Sequence, residues 1–265
     1  MGLLGKIGHI FLSHVYMLLD LFGLLSKSII TSISLFSINK FIIFWQLFIR
    51  QLYNTGLKAT YINTIIAVLI GILMMSLTFS ILGENIRFID YYAKLFVLVI
   101  IREIGPLISG VILIARSANA VTAEMGYLKQ HEQLQVLKAL RISPVYLLLL
   151  PVFYAFPLSL LLMFFYFDLV CIFSSWVLMS LLHTEIISLN NFLSIIMQQI
   201  SLNEVIISAS KALIGGLFIG LTCIYYGASV EPKFASISKS ISSSTTSQLI
   251  LLFLINILLS VIAYR

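Results

Sequence analysis

Arg102-Glu103-Ile104-Gly105-Pro106 sets two adjacent ionisable residues and a Gly-Pro break inside an apolar segment, residues 95–115. Charges inside a membrane span cost several kcal/mol and are usually kept for a purpose. Pro106 has no N–H for the Arg102 carbonyl, so the helix must kink or leave that oxygen to another partner. Arg116 follows the segment, and residues 119–141 are polar and amphipathic, holding Glu124, Gly126, Glu132 and Gln133. The next apolar run begins directly after Pro144. A polar element clamped between two spans suits docking on the membrane face.

The rest of the chain supports that frame. Of 265 residues, 60% are hydrophobic and 10% charged, with a mean hydropathy of +1.09; soluble domains are about a quarter charged. An all-α polytopic membrane protein is expected, a single domain over residues 1–265. The net charge of +6 invites a nucleic-acid reading. The basic residues are dispersed, however, and the positive-inside rule accounts for them, so no nucleic acid is expected. Cys171 and Cys223 lie in apolar runs and read as small packing residues. His131-Glu132-Gln133-Leu134-Gln135 begins like a zinc-protease motif but has Gln135 where the second His must stand. One imidazole cannot hold a catalytic zinc alone, so no metal site is expected.

Residues 1–58 form the interfacial part. Leu4, Ile7, Phe11, Val15, Leu18, Phe22 and Leu25 follow three-and-four spacing, the pattern of a helix lying in the interface. No compact basic start or cleavage site marks a signal peptide, and Lys6 occupies the Ser/Thr position a myristoylation signal needs. Residues 39–58 mix Arg50, Lys58 and Tyr53 with many aromatics, a headgroup-level composition that predicts an elbow helix. The alternative places residues 41–49 in a short span.

Residues 59–265 then form a core of five spans. The first covers 61–82 and the second 95–115, joined by a short charged loop. Residues 145–182 are apolar for longer than one ordinary span, interrupted by Pro151, Pro157 and Asp168. One long kinked helix is preferred to a hairpin, because a hairpin would put the following loops on the wrong sides. The fourth span, 205–226, carries Lys211 and Gly216-Leu-Phe-Ile-Gly220, a tight-contact motif whose chance match is nearly as frequent. A Ser-rich loop over 227–247 leads to a short fifth span, 248–264. With the N-terminus inside, eleven Lys and Arg residues lie inside and only Arg87, Lys94 and Arg265 outside. Residues 119–141 then face the ATP-containing compartment.

No GxxxxGK[ST] sequence, nucleophile elbow or pair of catalytic carboxylates is present, so no catalytic residues are expected in the chain itself and it cannot cradle ATP phosphates in that way. Energy would enter through residues 119–141. Ala120, Glu124 and Leu128 share a helix face that Glu132 extends, and carboxylates there suit a basic groove on a partner. Alternatively, Glu124 and Glu132 only solvate a connector and pair with Arg116 or Lys129.

Arg102-Glu103-x-Gly105-Pro106, Ala115-Arg116, Ala123-Glu124-x-Gly126, Glu132-Gln133 and Ser143-Pro144 resemble the MlaE/YrbE family of ABC-transporter permeases. Arg50-Gln51-Leu52-Tyr53-Asn54-x-Gly56 is similar to the elbow sequence of that family. The resemblance covers roughly residues 45–260 and is strongest over 100–144. It implies five spans and an interfacial N-terminal helix, in a homodimer that moves phospholipids or other lipids. The implied partners are a separate ABC ATPase subunit, which carries ATP and Mg, and an MCE-domain lipid-binding protein. Arg116, Glu124, Gly126, Glu132 and Gln133 would couple to the ATPase. Arg102 and Glu103 would sit near a lipid cavity between protomers, with Leu77 and Phe79 on its acyl-chain wall. Alternatively, Arg102 pairs with Glu103 or Asp168 and only fixes packing. Departures include Ser117-Ala118-Asn119 where glycine is frequent, Gln135 for an acidic residue, and a Ser-rich 236–247 for a Gly-rich segment. The implied location is a bacterial inner membrane or plastid inner envelope, with the N-terminus cytosolic or stromal; abundant Ile, Ser, Asn and Lys suit an AT-rich genome. A rival reading is a structural membrane-assembly subunit that transports nothing.

Overall fold

The computed structural model describes residues 3–33, 38–82, 88–182, 188–231 and 236–263, and among these the secondary structure is all helical. The order is α1 (Leu3–Ile33), α2 (Ile38–Thr55), a 3-10 turn (Leu57–Ala59) and α3 (Thr60–Leu82). α4 (Phe88–Leu95), α5 (Gly105–Leu113) and α6 (Asn119–Gln130) form one rod, joined by π-helical stretches at Phe96–Ile104 and Ile114–Ala118. α7 (Gln133–Ala139) is short. A third π-helical stretch, Val145–Leu149, opens α8 (Leu150–Leu182), and α9 (Leu189–Gln199), α10 (Leu202–Ala228) and α11 (Ser236–Ala263) complete the chain.

Among the described residues, six segments are long and apolar enough to cross a membrane: Tyr16–Ile33, Lys40–Ile81, Phe88–Gln130, Val145–Leu181, Leu202–Ala228 and Ser236–Ala263. The chain is a multi-pass membrane protein. Five of these segments contain the expected spans, and the sixth lies in the N-terminal helix read above as interfacial. At ~1.5 Å per residue, the 42 residues of the second segment reach about twice the hydrocarbon thickness. The turn at Leu57–Ala59 divides it into α2 and α3. That break is pinned to α8, where the Thr55 and Ser159 hydroxyls meet at 2.7 Å.

α8 is the central element and, with its π-helical start, runs unbroken from Val145 to Leu182, so the hairpin is excluded. Apolar faces cannot distinguish one neighbour from another in lipid, so polar bonds and small residues set the packing. Along α3, Asn63 Nδ2 donates to Met163 O (2.9 Å), Ser175 Oγ to Gly71 O (2.9 Å) and Cys171 Sγ to Ala67 O (3.2 Å). On the other side, a Cβ at Gly216 would lie 2.7 Å from Pro157 Cα, and one at Gly220 would lie 3.2 Å from Phe156 Cβ. The GxxxG motif is therefore a true contact. It lies against α8 at its internal proline, Pro157.

Two polar stretches between the expected spans are helical. Ser236–Ser247 lies within α11, where Ser240 Oγ donates to Tyr226 O (2.6 Å) and Thr245 Oγ1 to both Ile241 O and Asn119 Oδ1. Small hydroxyls satisfied by their own preceding turn allow close helix approach, so the composition does not end the helix. Residues within 188–204 form α9 and the start of α10. Ser188 caps α9, and Ser201 with Glu204 forms a reciprocal capping box on α10. α9 packs on α4 through Phe192 stacked on Tyr92 at 5.8 Å.

α1 meets the bundle at Met17, whose sulfur accepts from the Tyr226 hydroxyl (3.5 Å), at Phe22, edge-on to Phe218, and at Ser32, which accepts from Tyr154 (3.0 Å). Tyr226 adjoins Gly227, which packs on Met125 and Thr122 of α6. Residue 17 of α1 and helix α6 thus gather at the same end of α10.

Candidate functional site

The mid-span cluster starts at the proline. Pro106 withholds an N–H from the Arg102 carbonyl, and Gly105 N–H instead reaches back five residues to Ile100 O. The Arg102 carbonyl accepts from Lys211 Nζ at 2.7 Å. The same ammonium pairs with Glu103 Oε2 at 3.1 Å, and Ser260 Oγ lies 2.8 and 2.9 Å from the two carboxylate oxygens. Arg102 Nε stands 3.9 Å from Glu103 Oε1. Lys211 is 1% exposed in its side chain, Arg102 22% and Glu103 37%. The lysine is thus buried and paired, while the arginine and the carboxylate are partly exposed. Asp168 is not among the cluster's ion-pair or hydrogen-bond partners: it is buried against Gly105, and its Oδ1 has no hydrogen-bond partner among the described residues.

Sequence reasoning found Arg102 and Glu103 but missed Lys211 and Ser260 as their partners. The signal for Lys211 was present, since it is the remaining basic residue placed inside a span and Pro106 had already released a carbonyl. Nothing in the sequence distinguishes Ser260 from the other serines of α11. Leu77 and Phe79 do not share one wall. Leu77 is half exposed on α3, whereas Phe79 turns inward, edge-on to Phe88 at 5.9 Å. Phe88 begins the rod and Arg102 lies on the order of 20 Å further along it, so the structure does not join Phe79 to the charged cluster within one chain.

The second constellation lies where α2, α6 and the start of α8 meet. Arg116, on the second π-helical stretch, donates from Nη1 to Asn54 O (2.9 Å), and Ser117 Oγ donates to Thr55 O (2.8 Å). These carbonyls end α2 and lack helical partners, and a cation there also suits the helix dipole. Arg116 is therefore the staple between elbow and rod. Gly126 is buried against Val230 and Ile237, a packing position. Glu124 is exposed; no ion pair joins it, or Glu132, to Arg116 or Lys129 among the described residues. Arg50 and Tyr53 are exposed on α2, with Lys58 Nζ 5.4 Å above the Tyr53 ring.

The expected docking helix over 119–141 is two helices. α6 continues the rod and packs on α10 and α11, whereas α7 stands apart, bracketed by Glu132 (φ 56°) and Arg141 (φ 61°) in left-handed conformations. No residue of α7 is buried. Yet Val136 and Leu140 on and beside it, with Tyr127 on α6, are more than half exposed. Glu132 and Gln133 are exposed at the joint.

The family model described as permease MlaE matches residues 48–262. The chain is also 26% identical over 121 residues to the intermembrane phospholipid transport system permease protein MlaE of Haemophilus influenzae. That alignment covers 44% of each chain, so the match spans less than half the length of the curated relative.

Proposed function

The chain belongs to the MlaE permease family, and from that premise we propose that it is the membrane subunit of an ATP-driven lipid transporter. The Haemophilus relative's name as an intermembrane phospholipid transport permease supports phospholipid as cargo. The chain itself is read as non-catalytic: a separate ABC ATPase would hold ATP and Mg, two copies of the chain would enclose a lipid chamber, and an MCE-domain protein would receive or deliver lipid. Five spans, with α1 and α2 at the interface, suit a bacterial inner membrane or plastid inner envelope. In this reading α6 and α7 face the cytosol or stroma, on the side of the N-terminus.

The observation that carries the proposal is α7. It is a helix outside the spans with nothing buried and with apolar Val136 and Leu140 presented to solvent. Two left-handed residues hold it away from the rod, at about 1–2 kcal/mol each. Such a surface is stable when a protein partner covers it. In the spans, Lys211 and Ser260 engage Glu103, and the partly exposed Arg102 beside it is the charge an anionic headgroup would meet. The test is co-purification with an ABC ATPase in mild detergent, together with lipid transfer between vesicles. Val136→Asp with Leu140→Asp should abolish ATPase association, and Glu124→Lys with Glu132→Lys should uncouple lipid movement from ATP hydrolysis. ATPase binding and lipid flux that survive both pairs would refute the reading.

A further inference from the structure

From the cavities at the junction of α2, α6 and α8 we infer that the protein holds a glycerophospholipid with an amine-bearing headgroup in a second site, separate from the mid-span cluster. Two cavities of about 270 and 280 Å³ lie there and share Gln51, Asn54, Val121 and Glu124, so they form one cleft. Joined, they fall within the range of small-molecule sites, about 300–1,000 Å³.

The cleft is amphipathic along its length. One end carries Lys58 and Arg116; the other, more apolar end is lined by Leu47, Leu147, Leu148 and Val152 with Arg50 among them, and Glu124, the single carboxylate, lines both cavities. Arg50 and Glu124 make no ion pair among the described residues, so neither charge is neutralised inside the fold. Arg116 is already held by the Asn54 carbonyl, which fixes a guanidinium at the mouth without rotamer search.

Three cations and one anion match a phosphodiester and an ammonium on the same molecule. The apolar end continues from the polar one, as an acyl chain continues from a headgroup. The aromatics of α2, with Phe41 stacked on Trp45 at 6.2 Å, are the residue types that settle at headgroup depth. Free phosphate would satisfy the cations but leave Glu124 and the apolar end unused. An acidic loop of a partner protein would likewise leave the apolar end empty. The inference requires only that α2 and α6 meet at the membrane surface, and it stands whether or not the chain transports lipid.

The test uses the full chain in nanodiscs of phosphatidylethanolamine and phosphatidylglycerol, with a photoactivatable phosphatidylethanolamine as probe and peptide mapping of the adducts. Adducts are expected on α2 and at the start of α8. Arg50→Gln with Lys58→Gln, both at exposed positions, should reduce that labelling about tenfold or more, each basic residue near the surface being worth about 1 kcal/mol. Glu124→Gln should lose the preference for the amine headgroup while retaining phosphatidylglycerol. Arg102→Gln should leave this labelling unchanged while altering adducts in the spans, so failure here is distinguishable from failure of the transport reading. Labelling that is insensitive to the Arg50 and Lys58 changes overturns the site. Competition by inorganic phosphate equal to that by lipid, or cross-links from Arg50 to an ATPase in place of lipid, also overturns it.

Discussion

Removing Glu103 should damage the fold more than removing Lys211, although the two residues form one ion pair. In Glu103→Leu the Lys211 ammonium stays buried, loses its carboxylate and keeps the Arg102 carbonyl at 2.7 Å. A stranded buried charge costs about 3–5 kcal/mol; the remaining carbonyl bond puts this case near ~3. In Lys211→Met the Glu103 carboxylate retains Ser260 and is 37% exposed, so solvent and the hydroxyl hold it. The loss is then about 1–2 kcal/mol. The double variant removes both charges and fills the space with apolar groups of similar size, and should cost only about 1 kcal/mol. The coupling energy is then about 3 kcal/mol, well above the scatter of additive pairs. Reversible unfolding of the four proteins in mixed micelles measures it. Equal losses for the two single variants, or additivity within about 0.5 kcal/mol, would show that Lys211 is not neutralised by Glu103.

Two further outcomes follow from the packing of α8. Gly216→Ala places a methyl 2.7 Å from Pro157 Cα and 2.8 Å from Phe156 O, both backbone atoms that cannot rotate away; the loss should be about 1–3 kcal/mol in the same unfolding measurement, and an unchanged midpoint would remove the contact. Asn63→Leu deletes the bond to Met163 O, yet interhelical bonds in membranes average only about 0.6 kcal/mol, so a loss above about 2 kcal/mol would show that Asn63 does more than join α3 to α8.

What was legible in the sequence follows from what lipid permits. Backbone groups in a bilayer must be satisfied within the segment, so apolar run lengths alone announce helices. Pro106 announced a carbonyl in need of a donor, and Gly216 with Gly220 announced a close approach; both are local statements about missing atoms. The Ser-rich 236–247 was misread because hydroxyl residues resemble a loop by composition, while in a helix they bond to their own preceding turn. Gly126 sits in the motif read as coupling, and its packing depends on Val230 and Ile237 arriving from elsewhere in the chain.

The sequence by itself determined the class of solvent, the apolar spans and where charge enters the membrane, because each depends on residues close together in the chain. Only the tertiary structure decided which charges meet: that Lys211 and Ser260 hold Glu103, that Asp168 does not, and that Arg116 caps the elbow. Those choices depend on the rotation and depth of separate helices, and a uniformly apolar surface carries no pattern from which either can be read.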